Sequence, residues 1–185
     1  MNQGLTVVQT ARVVGELRWS AESLFGILTA WASEADRSAI AVVLATSGRH
    51  LGWHAADLGE LVPDAVLLGD EVEVSPRPEL EAALEAIRAI PGSVERLAVA
   101  HRVLLGRLAA RCVAVSHRAA PHADAPLLRQ IEFCLADLRR DRDEGEMLLV
   151  SLLSDVETVE RVGRRVVEAE SRLVAAGGLF HADLP

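Results

Sequence analysis

The chain contains no lysine and no tyrosine: all 19 of its basic residues are arginine. This removes Schiff-base and P-loop lysines, low-pKa amine bases and phenolic acids from its chemistry. Only two cysteines are present, and Cys112 and Cys134 form no CxxC or other ligand spacing, so the expectation is two reduced, buried thiols. Aromatic residues make up 3% of the chain. Gly-rich phosphate loops, a Rossmann fingerprint and a nucleophile elbow are all missing, which sets aside kinases, dehydrogenases and hydrolases of those classes. The longest apolar run, Ala39–Ala45, is far short of the roughly 20 residues that span a bilayer, and Met1–Arg18 lacks the pattern of a signal peptide. The expectation is a cytoplasmic chain without membrane attachment. A net charge of −8 argues against nucleic acid as a partner.

What is present is helical periodicity. The 185 residues suffice for one domain, and apolar residues recur every three or four positions over long windows. The spacing predicts an all-α chain with a lead-in over 1–16 and a single domain over 17–180. Helices are expected near Leu17–Ala32, Ala35–Leu61, Ser93–Arg118 and from Asp124 onward. A short helix is expected over Glu79–Ile90, and a fifth after the capping-box pattern Ser154-Asp155-Val156-Glu157, ending at Gly177-Gly178. Pro63–Pro78 reads as a long connection between the second and third long helices. Four long helices with one such crossover fit a four-helix bundle with a short crossover helix and an extra C-terminal helix across one end. Charge is uneven: Glu34–Ile90 holds 11 acids and 4 arginines, and Arg96–Arg142 holds 9 arginines and 4 acids. Ion pairing between helices, or an anionic ligand or an acidic partner docking on the arginine-rich half, would account for it.

Trp-Ser-Ala-Glu-Ser-Leu-Phe-Gly-Ile-Leu (19–28), Gly-Arg-His-Leu-Gly-Trp-His (48–54), Leu-Ala-Asp-Leu-Arg-Arg-Asp-Arg-Asp-Glu-Gly-Glu-Met-Leu-Leu (135–149) and Ala-Ala-Gly-Gly-Leu (175–179) resemble uncharacterised ferritin-like proteins of actinobacteria. The wider resemblance to di-iron carboxylate bundles implies Glu on two helices and Glu-x-x-His on the other two. No Glu-x-x-His occurs here, so the expectation is no ferritin-type di-iron centre, with either no cofactor or one mononuclear metal.

Candidate chemistry lies on the apolar stripes. His50 and His54 are four apart on one face, the spacing at which two imidazoles can share an ion, so they are the candidate metal ligands should a metal bind. His101 sits on the inward stripe of the third long helix and Asp141 on that of the fourth. Together His50, His54, His101 and Asp141 form a candidate catalytic cluster near mid-bundle, with Glu22, Trp53, Asp137 and Glu144 as candidate substrate contacts. A buried carboxylate there is expected to raise the histidine pKa values. Interior glycines Gly26, Gly48, Gly52, Gly106 and Gly145 imply close helix approach or a cavity. A single histidine such as His50 could also ligate a haem. These features support two readings: an enzyme of secondary metabolism acting on a small organic molecule, or a non-catalytic bundle that binds or scaffolds, as a homodimer or with another protein.

Overall fold

A computed structural model describes residues 4–62 and 77–180. The described residues are helical, without strands. Helix α1 spans Val7–Ser33 and α2 spans Ser38–Gly59. Helix α3 spans Pro78–Arg88. One continuous rod follows, made of α4 (Ser93–Val99), a π turn (Ala100–Leu104) and α5 (Leu105–Ser116). Helices α6 (Ala125–Leu152) and α7 (Val156–Ala175) complete the fold.

Local chemistry sets the boundaries. Helix α1 begins ten residues before the expected Leu17, because Thr6 and Gln9 form a reciprocal capping box: Gln9 N–H donates to Thr6 Oγ1 and Thr6 N–H to Gln9 Oε1. Val13, Val14 and the Glu16 carboxylate are then buried with the rest of its inner face. Proline occupies the first turn of both α3 and α6, where its missing N–H costs nothing. Ser93 begins the rod where the periodicity predicts, but the cap is Gly92 at φ 85°, and Ser93 Oγ accepts the Asp36 N–H at 3.1 Å. A side chain at position 92 would meet the Glu95 carboxylate, so glycine is required twice over. Asp155 caps α7 by accepting the Thr158 N–H at 2.7 Å, and the helix stops at Gly177 and Gly178, both with positive φ.

Pairwise contacts give the helix directions. Gly48 lies against Thr29, Gly52 against Phe25 and Gly59 against Arg18, so α1 and α2 are antiparallel. His50 meets Asp141 and His54 meets Asp137, so α2 and α6 are antiparallel. Arg102 pairs with Glu146 and Cys112 faces Cys134, so the α4–α5 rod is also antiparallel to α6. The rod therefore runs parallel to α2, and the intervening chain must return from one end of the bundle to the other. Helix α3 carries part of that return. Arg77, just before it, bonds Gly178 O at 2.6 Å, and Arg88 O at its far end accepts from Trp31 Nε1 at 2.9 Å. The loop expected over Pro63–Pro78 lies, from residue 63 to residue 76, outside the described residues.

The C-terminal helix does not cross one end of the bundle as expected. Arg161 of α7 pairs with Glu95, and Glu170 with Arg107, so α7 lies alongside the α4–α5 rod and runs the same way. Its buried seam is narrow, Val162, Ala169 and Leu173, which suits a helix added to the outside of a filled core. The arginine-rich stretch is paired across elements, but with one exception not with the acidic stretch 34–90: Arg96 pairs with Glu34, whereas Arg111 pairs with Glu16, Arg102 with Glu146 and Arg107 with Glu170. Among the described residues no helix is long and apolar enough to cross a membrane.

Candidate functional site on the α2–α6 seam

The inner faces of α2 and α6 bring two histidine–carboxylate pairs together on successive helical turns. His50 Nδ1 lies 3.0 Å from Asp141 Oδ1 and 3.1 Å from Oδ2, with Asp141 only 2% exposed. His54 Nε2 lies 3.0 Å from Asp137 Oδ2. Spacing explains the match: residues 50 and 54 are one turn apart, as are 137 and 141, and antiparallel packing sets each against its partner.

The three inward histidines differ in what their second nitrogen does. The Gln130 amide stands between His54 Nδ1 at 3.1 Å and Asp57 Oδ2 at 3.4 Å. A carboxylate only accepts, so Gln130 turns its NH2 to both, His54 Nδ1 accepts, and the His54 proton resides on Nε2, donated to Asp137. Both nitrogens of His54 are thereby engaged. His101 Nδ1–H donates to Leu97 O at 2.9 Å, and its Nε2 is 3.3 Å from the Ser47 hydroxyl, so this ring is engaged at both ends as well. His50 is different. Its Nδ1 is held by Asp141, its side chain is 13% exposed, and among the described residues its one ring contact is Trp53, 5.7 Å between centroids and tilted by 42°. Nε2 of His50 has no hydrogen-bond partner among the described residues.

His101 owes its place to two local features. The π turn, in which Leu105 N–H reaches back five residues to Ala100 O, widens the rod at this point. The His101 carbonyl that the turn redirects accepts from Arg142 Nε at 3.2 Å. The ring then lies on Gly145, where an added Cβ would sit 2.2 Å from His101 Cδ2. Gly145 thus makes room for a buried imidazole. The other interior glycines divide: Gly48 and Gly52 are in close contact with α1, whereas a Cβ at Gly26 or Gly106 would meet nothing within 4 Å, so neither close approach nor a filled cavity explains those two.

Burial governs the protonation of this seam. The His54 pKa lies below its ordinary 6.5, because desolvation outweighs the attraction of Asp137. His101 is lowered too, again by burial first. The expected upward shift from a neighbouring carboxylate is therefore overturned at both rings. Asp141 is raised above its ordinary 3.8 by desolvation, against the opposing hydrogen bond from His50.

The remaining candidates fall elsewhere. Glu22 is on the exposed face of α1, paired with Arg18 at 2.9 Å, and does not reach the histidines. Glu144 is exposed on α6, acting on Asp141 only through its charge. Trp53 is 56% exposed and flanks His50, while Arg49 lies 5.3 Å over its ring. As metal ligands, His50 and His54 do not converge, since His54 has no free nitrogen and the Nδ1 of His50 is turned to Asp141. Among the described residues no group of three or more His, Cys, Asp or Glu could hold a metal ion. The thiols of Cys112 and Cys134 face each other at 3.9 Å in the core, and the Cys134 pKa is pushed up by its hydrogen bond to Cys112 and by burial, which leaves an unreactive thiol.

Sequence reasoning missed Gln130 and Ser47 as partners of the histidines. Gln130 was legible as the residue two turns before Asp137 on the same face of α6, and Ser47 as a polar residue on the inward stripe of α2. The three comparisons, with protein-family models, with curated proteins and with solved structures, return no match to this chain.

Proposed function

We propose that this chain is a ferritin-like helical bundle whose His50–Asp141 pair performs acid–base chemistry on a small organic molecule, without a ferritin-type di-iron site. The bundle assignment is supported by the helix directions, in which two antiparallel pairs are joined by a connection that runs the length of the bundle. The chemical reading rests on one observation: Asp141, buried, holds Nδ1 of His50, and Nε2 of that ring remains open. In this arrangement Nε2 takes a proton from a bound molecule and the carboxylate stabilises the imidazolium that forms. His54 and His101, engaged at both nitrogens, serve as supports for the seam rather than as proton carriers. Arg142 and Gly145 hold His101, and Gln130 fixes the tautomer of His54.

The activated ester 4-nitrophenyl acetate tests this, because it reports an accessible, oriented imidazole directly. The wild-type chain is expected to release 4-nitrophenolate faster than His50→Gln, and Asp141→Asn to lose about tenfold of the difference, less than the roughly 10²–10⁴-fold of a full general-base contribution because the imidazole itself remains. His54→Gln should keep most of the rate. A wild-type rate equal to that of His50→Gln would remove the acid–base reading and leave a binding or scaffolding bundle.

A further inference from the structure

Residues of α1 and α2 flank an open groove of about 620 Å³ that the acid–base reading does not use. Arg18, Glu22, Phe25, Arg49, Gly52 and Trp53 line it. Its two aromatic rings are unusually open, with Phe25 at 41% and Trp53 at 56% exposure. Position 52 has no side chain, and the Phe25 ring lies over it: a Cβ there would press on that ring at 3.3 Å, and a longer side chain would displace it into the groove. Charge in the groove is unbalanced. Arg18 and Glu22 neutralise each other at 2.9 Å, whereas Arg49 has no carboxylate in ion-pair distance among the described residues and is held only over the Trp53 face. A guanidinium preoriented on an aromatic ring, beside a second ring seated on Gly52, is complementary to a planar apolar body carrying one negative charge.

We propose that this groove binds a small aromatic carboxylate, its ring against Trp53 and Phe25 and its carboxylate on Arg49. The proposal goes beyond the reading of His50, which does not line the groove, and the two can fail separately. Trp53 touches both: it lines the groove and packs on the His50 ring, so an occupant of the groove would sit next to the dyad across the indole.

The test uses benzoate and indole-3-carboxylate as probes, benzylamine as the cationic counterpart, and the indole N–H signal of Trp53, assigned through Trp53→Phe, as the readout in nitrogen–proton NMR. Both carboxylates are expected to shift that signal saturably, and benzylamine is not. Arg49→Gln should weaken binding about fivefold, the range of a partly exposed charge contact. Gly52→Leu should abolish binding while helical circular dichroism is retained; if that variant loses its helix, Arg49→Gln, an exposed change, decides the matter. His50→Gln should bind as the wild type does, even where its ester reactivity is lost. Absence of saturable binding to the wild type, equal binding of benzylamine, or unchanged affinity in Arg49→Gln would each overturn the proposal.

Discussion

The inner face of α6 has two halves built on different terms. Its first half, with Leu127, Ile131 and Cys134, packs on Leu108 and Cys112 of α5 around a small space whose lining is apolar apart from the two thiols and Gln130, the residue that reaches towards His54. Its second half, with Asp137, Asp141 and Gly145, faces His54, His50 and His101. Contacts in the first half are non-directional, so side chains of similar volume can exchange at little cost. In the second half nearly every polar atom has one partner at one distance, and removing either member strands the other. Buried polarity of this kind is costly to maintain, and it is concentrated where a single imidazole nitrogen is left open.

The largest effect is expected from Gly145→Ala in the second half. Elsewhere in a helix that change would help by about 1 kcal/mol, whereas here the new methyl overlaps the buried His101 ring and an expected net loss of about 3 kcal/mol follows. Chemical denaturation should show this loss, and adding His101→Ala should make the alanine at 145 neutral or favourable. Strict additivity of the two changes would mean that the ring is not what the glycine accommodates.

Acid should act on the second half alone. With His54 and His101 lowered below 6.5, the unfolded chain takes up protons that the folded chain refuses. Their stabilising effect is complete above 6.5 and is lost as the pH falls from there towards the folded values. Asp141, raised, has the opposite sign in the carboxylate range, where stability falls as the pH rises above 3.8. The melting temperature should therefore drop between pH 7 and pH 5, and His54→Gln should flatten the drop. A melting temperature that holds or rises over this interval would contradict the burial of these rings. The smallest effect is expected in the first half: Cys134→Val, close in volume, should change stability by less than about 1.5 kcal/mol, and a larger loss would show that the thiol pair is a specific contact rather than packing.

Much of the fold was legible in the sequence because helix signals are local. Pro78 and Pro126, Asp155 and the Gly177-Gly178 pair stand where the periodicity predicts ends. The start of α1 was missed although Thr6 and Gln9 have capping-box spacing, because no acidic residue marks the first turn. The placement of α7 was not legible, since the narrow Val162, Ala169, Leu173 seam says that the helix packs, not on what. In the site, residues 50, 54, 137 and 141 were foreseen by spacing. Their pairing was not, because it depends on the register of α2 against α6, and the direction of the histidine shifts was wrong because desolvation exceeds a single carboxylate's attraction at a buried ring. The π turn at Ala100–Leu104 has no signature in its sequence, Ala-His-Arg-Val-Leu.

His50 alone among the inward histidines presents a ring nitrogen without a partner among the described residues. Nitrogen NMR of the imidazole rings near pH 7.5 reads this directly, since protonated and unprotonated ring nitrogens resonate far apart. The account predicts His50 and His101 with the proton on Nδ1 and His54 with the proton on Nε2, and only the His50 Nε2 signal shifting when Asp141→Asn alters its support without unfolding the chain. A His50 ring protonated at Nε2, turned away from Asp141, would contradict it.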